Sequence, residues 1–134
     1  MGKGEYVSGD LTGEGPPWYW QGGLHDARLL AVEERQLAYD VHQRHPLRSC
    51  LVLHLDPAHA LHPTNIRTIC LYNAKTIGGE LCPGRWWMCD TLTKHGEKYE
   101  LTIVFTDGKN DHETVIRFDT AKTECSIRSR HGPR

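Results

Sequence analysis

Residues 99–105 (YELTIVF) put Tyr99, Leu101, Ile103 and Phe105 on one side of an extended chain. Side chains of a strand point alternately to opposite faces, so this period-2 pattern predicts a half-buried β-strand. A second run, residues 114–118 (TVIRF), follows Asp107-Gly108 and a polar stretch. The two runs predict an antiparallel hairpin. Pairing Phe105 with Thr114 sets Ile103 against Ile116 and Leu101 against Phe118, which joins the apolar sets on one face. A tight turn on Asp107-Gly108 alone would oppose Ile103 to His112, so a longer loop over residues 107–112 is expected.

Upstream, residues 50–55 (CLVLHL) form a short apolar run of the kind found in central strands, and residues 66–72 (IRTICLY) are β-branched and aromatic. Residues 85–89 (RWWMC) follow the turn signal Cys82-Pro83-Gly84 and read as a further strand. Trp18, Tyr19 and Trp20 open the region expected to be ordered, and Gly22-Gly23 and Gly78-Gly79 read as turns. Residues 27–37 (ARLLAVEERQL) suit a helix by composition, with Asp26 as its cap, and a strand by alternation. As a strand, Leu30 and Val32 share one face and Leu29 and Ala31 the other. The β-rich neighbourhood favours the strand. A brief helical turn is expected over residues 56–61, capped by Asp56, entered at Pro57 and stopped by Pro63.

The expected fold is mainly β: six to seven strands in a β-sandwich or open barrel, with at most one or two short helices. The 134 residues suit one domain. Residues 1–16 are Gly-rich with little to bury and read as a flexible lead-in, residues 17–125 as the β-rich domain, and residues 126–134 as a flexible basic tail.

The stretch Leu24-His25-Asp26-Ala27-Arg28-Leu29-Leu30-Ala31-Val32-Glu33, with the later Leu51-Val52-Leu53-His54-Leu55-Asp56, resembles the opening of several small bacterial all-β families. Some of those are of unknown function and others are toxin-immunity proteins. The resemblance implies a β-fold and a protein-binding role, and brings no catalytic residue with it.

Charge balance narrows the partners. Sixteen Lys and Arg offset 17 Asp and Glu, which gives no general pull toward nucleic acid or an anionic membrane. No apolar run is long enough to span a bilayer, and the N-terminus lacks the apolar stretch of a secretory signal. Five cysteines are an odd number, so a complete intrachain disulfide set is impossible, and Cys50 and Cys70 fall within apolar runs. A cytoplasmic location is therefore expected.

Chemistry-bearing patterns are few. His54, Asp56, His59 and His62 form an H-x-D-x-x-H-x-x-H stretch; imidazoles and a carboxylate suit zinc, and three ligands plus water would suit a metal-dependent hydrolase. The spacing matches no standard zinc signature, Asp56 has a competing role as a cap, and an ordinary loop is the rival reading. Cys82, Cys89 and His95 form a second such group, spaced too widely for a zinc knuckle. No other pattern implies a cofactor. His25-Asp26 reads as a turn rather than an acid–base pair, since adjacent strand residues point to opposite faces. The tryptophans Trp18, Trp20, Trp86 and Trp87 are candidates for a binding surface, for a protein, a carbohydrate or another small ligand, against the rival that most lie in the core. The expectation is a non-enzymatic, protein-binding domain, with a metal site or an aromatic-lined ligand site as alternatives.

Overall fold

The computed structural model describes residues 5–6, 24–38, 42, 48–60 and 66–122. The expected lead-in, residues 5–6 apart, and the expected basic tail lie outside the described residues. The strands are β1 (Glu5–Tyr6), β2 (Arg28–Gln36), β3 (Ser49–Asp56), β4 (Thr68–Tyr72), β5 (Lys75–Gly78), β6 (Trp86–His95), β7 (Lys98–Thr106), β8 (Asp111–Phe118) and β9 (Thr120–Lys122), and no helix occurs among the described residues. They form one antiparallel sheet ordered β5-β8-β7-β6-β2-β3-β4-β9, with β1 paired to β6 off that path. The chain is mainly β, as its alternation requires, but the path holds eight strands rather than six or seven.

Two bends account for the higher count. Only Asn73 and Ala74 separate β4 from β5, and only Asp119 separates β8 from β9. The register carries across both interruptions without a slip, from Tyr72↔Thr120 to Lys75↔Arg117, and Asp119 N donates to Tyr72 O at 2.9 Å. The corner is held by Asn73, whose backbone is left-handed (φ 53). Its Oδ1 accepts from Arg48 N (2.7 Å) and Ser49 N (3.2 Å), and its Nδ2 donates to Asp119 Oδ2 at 2.8 Å. Lys98 is ion-paired with the other oxygen of Asp119.

Residues 27–37 are resolved in favour of the strand, with a correction to its faces. Leu29 pairs with Leu55 and Ala31 with His54, so Leu30 is an extra residue that bulges out of the ladder. The bulge puts Leu29 and Val32 on the core side and leaves Leu30 48% exposed. The β7–β8 hairpin forms, but its register differs by two from that expected: Phe105 faces His112, Ile103 faces Thr114, and Leu101 faces Ile116. A shift of two keeps every side chain on its own face, so hydrophobic pattern alone could not choose between the registers. Loop chemistry chooses. Asp107 Oδ1 accepts from Lys109 N and Asn110 N, both at 2.8 Å, and Gly108 supplies a positive φ of 96. Thr114 is buried opposite Ile103, and its hydroxyl donates to Glu80 O at 2.7 Å.

After β3 the chain makes a turn rather than a helix within the described residues: Asp56 Oδ1 accepts from Ala58 N (3.0 Å), and Ala60 N donates to Pro57 O (2.9 Å). At Gly79 (φ 73) an added Cβ would lie 2.1 Å from Glu113 O, so only glycine fits there.

The main core lies on one face of the sheet, from Leu29, Leu53 and Leu55 through Ile69 and Leu71 to Trp87, Leu92, Leu101, Ile103, Phe105, Ile116 and Phe118. Burying each large apolar side chain contributes roughly 1.5–3 kcal/mol. A smaller cluster of Cys50, Val52, Cys70 and Tyr72 occupies the opposite face of β3 and β4. Those strands are buried on both faces, which explains their continuous apolar runs. No helix of the described residues is long and apolar enough to cross a membrane.

Candidate functional site

The two sides of β2 are unequal. On one side it pairs with β3 along its whole length, from Arg28↔Asp56 to Gln36↔Ser49. On the other it meets β6 at a single pair, Arg28↔Trp86, flanked by Leu29 N to Arg85 O (2.9 Å) and Gly84 N to Leu29 O (2.6 Å). The strands run antiparallel, so β2 continues past the start of β6. Residues 31–36 then have no strand on that side among the described residues.

The phase of the ladder tells which groups face the opening. Leu37 N donates to Arg48 O at 2.8 Å. Hydrogen-bonded pairs alternate in an antiparallel ladder, so Ala31, Glu33 and Arg35 bond to β3, while Val32, Glu34 and Gln36 turn their N–H and C=O to the open side. Glu34 stands opposite Leu51 on the core-facing side, and its side chain is exposed. Beside it a cleft of about 200 Å³ is lined by Glu34, Gln36, Ser49, Cys50, Leu51 and Ala74.

The other face of β2 is electrostatically saturated. Arg35 donates twice to Glu33, from Nε at 2.7 Å and from Nη2 at 3.0 Å, and His54 Nε2 lies 3.1 Å from Glu33 Oε1. The Arg35 guanidinium first, and the His54 contact second, hold the Glu33 carboxyl down at about 2. A carboxylate held that low is not a general base near neutral pH. The rows Arg35–Cys50–Tyr72 and Glu33–Val52–Cys70 cross the three strands behind it. Burial pushes both the Cys50 thiol and the Tyr72 hydroxyl up, against the opposing pull of Arg35. A thiol kept protonated in this way is a poor nucleophile. Cys50, Cys82 and Cys89 are free thiols, whereas Cys70 is disulfide-bonded.

The residues of the expected metal cluster go separate ways. His54 is turned to Glu33, Asp56 closes its own turn, and exposed His59 lies with its ring centroid 6.1 Å from that of Trp86. His62 lies outside the described residues. In the second group, Cys82 Sγ contacts Glu80 at 3.8 Å, Cys89 is exposed opposite Val104, and His95 meets Thr93 at 3.3 Å. Among the described residues, no three His, Cys, Asp or Glu side chains converge to hold a metal. His25 and Asp26 sit 3.2 Å apart in a turn where Asp26 adopts φ 72 and its N donates to Trp87 O, a structural arrangement.

Trp18 and Trp20 lie outside the described residues. Trp87 offers no surface: it is fully buried, packs edge-on against Phe105 at 5.7 Å, and donates from Nε1 to Asp90 Oδ2 at 2.8 Å. Trp86 is half-buried, and the Arg28 guanidinium already stands over its ring at 5.8 Å. The edge of β2 that has no strand beside it among the described residues, and Glu34 on it, were missed by sequence reasoning. Their one signal is the passage within β2 from apolar Leu29-Leu30 to charged Glu33-Glu34-Arg35, since charge is a common mark of edge strands.

No protein-family model, curated protein or solved structure matches this chain.

Proposed function

We propose that this domain is a non-enzymatic binding module whose partner is another protein, taken up as an extended segment added to the open edge of β2. The observation carrying this reading is the one-sided pairing of residues 31–36. Strand addition draws its affinity from main-chain hydrogen bonds and its selectivity from alternate side chains. Three N–H and C=O sets at Val32, Glu34 and Gln36 supply the first, and the cleft beside Glu34 the second. Near-neutral net charge supports a protein partner over nucleic acid, and the resemblance to toxin-immunity families supports the same role. The sheet itself is read as an open barrel, because the bent strands β4–β5 and β8–β9 join the two ends of its path and the seam lies between β2 and β6. The three free thiols support a cytoplasmic setting, while the disulfide at Cys70 supports an oxidising one.

Selection of a displayed library of random heptapeptides on the purified protein tests the reading. Binders are expected to weaken about fivefold on Gln36→Pro, which removes one open-side N–H, a change of about 1 kcal/mol. Absence of any enriched peptide, or binders indifferent to that proline, would refute strand addition at β2.

A further inference from the structure

We infer that the segment added to β2 carries a lysine or arginine opposite Glu34, seated in the adjoining cleft; this rests on strand addition at that edge. Glu34 is central among the three residues whose main-chain groups face the opening. An incoming strand paired there sets one side chain directly against the Glu34 carboxylate, about 5.5 Å away between Cα atoms. Glu33, Glu100, Asp107 and Asp119 each have a basic side chain at ion-pair distance, whereas Glu34 has none among the described residues. An exposed, unpaired carboxylate on a free edge is a ready counter-charge.

The cleft suits the rest of such a side chain. At about 200 Å³ it is smaller than the 300–1,000 Å³ typical of small-molecule pockets, and so accommodates one side chain rather than a cofactor. Leu51 and Ala74 offer apolar contact for a methylene stem, while Glu34, Gln36 and Ser49 surround a charged head.

The same charges disfavour a second copy of this chain as the occupant. Only residues whose main-chain groups face the opening can pair across two such edges, so full antiparallel overlap, Val32 against Gln36, sets Glu34 directly against Glu34 of the second copy. Like charges directly opposed across strands are destabilising.

The test uses heptapeptides selected on the full-length protein. Lys or Arg is expected to dominate one peptide position, and Glu34→Lys is expected to weaken those binders about tenfold. Reselection on Glu34→Lys should return Asp or Glu at that position, and Glu34→Gln should give an intermediate loss. Binders sensitive to Gln36→Pro but indifferent to Glu34→Lys would overturn this inference and leave strand addition standing. Binders indifferent to both, or none at all, would overturn both. Native mass spectrometry of the protein alone showing a dimer that Gln36→Pro dissolves would put a second copy on the edge and overturn the basic-segment assignment.

Discussion

Glu33 shows how much a half-exposed side chain depends on its neighbours. Its carboxyl, held at about 2 by Arg35 and then His54, lies below its ordinary value of 4.5. The folded state therefore binds that proton less readily than the unfolded chain. The stabilisation is fully present above pH 4.5 and is lost as pH falls toward 2. The Glu33 side chain is 42% exposed, so solvent screening keeps the effect below about 1 kcal/mol. Melting curves of Glu33→Gln and the natural protein should differ above pH 4.5 and converge near pH 2, and less so in high salt. Asn73 has a larger structural role. Asn73→Ala removes three hydrogen bonds and places a Cβ-bearing residue without local polar support at φ 53. It should cost about 2–3 kcal/mol in urea unfolding, with Asn73→Gly recovering only the backbone share. Asn is among the few residues that tolerate left-handed backbone, but its three partners lie 24, 25 and 46 positions away and were not legible from sequence.

At the scale of the element, β2 separates two kinds of position that look alike in sequence. Glu34 N–H faces the opening, whereas Arg35 N–H belongs to the β3 ladder, as the Leu37–Arg48 bond requires. Glu34→Pro should therefore change stability by less than about 1 kcal/mol, since proline is tolerated where the N–H faces solvent. Arg35→Pro should cost roughly 3 kcal/mol, and Arg35→Ala measures its side-chain share. Chemical denaturation of the three variants checks this; equal costs for the two prolines would mean that the phase is wrong. Strand character at residues 50–55, 68–72 and 99–105 was legible because burial on one or both faces imposes its own apolar pattern. The hairpin register was not, because a shift of two leaves that pattern unchanged and Asp107's side-chain bonds decide.

For the whole molecule, two bends at Asn73–Ala74 and Asp119 carry one register from the β4–β9 pairing into the β5–β8 pairing, and the main core lies on one face of the sheet. The second cluster behind β3 and β4 contains both a free and a disulfide-bonded cysteine, Cys50 and Cys70. Alkylation of unfolded, unreduced protein should label Cys50, Cys82 and Cys89 and spare Cys70, which becomes labelled after reduction. Peptide mass mapping reads this directly. Labelling of Cys70 without reductant would instead match a chain kept in a reducing compartment.

By itself the sequence determined the class of fold and most of its strands, because alternation and β-branched runs follow from local side-chain geometry and burial. It also determined the near-neutral charge. Tertiary structure alone decided the bulge at Leu30, the register across Thr114, the parting of His54, Asp56 and His59, and the open side of β2. Each of these depends on which distant main chain lies alongside, as Gly84 and Trp86 do for Arg28 and Leu29 and as no strand among the described residues does for residues 31–36. Pairing is a property of two segments, and the pattern of one segment does not contain its neighbour.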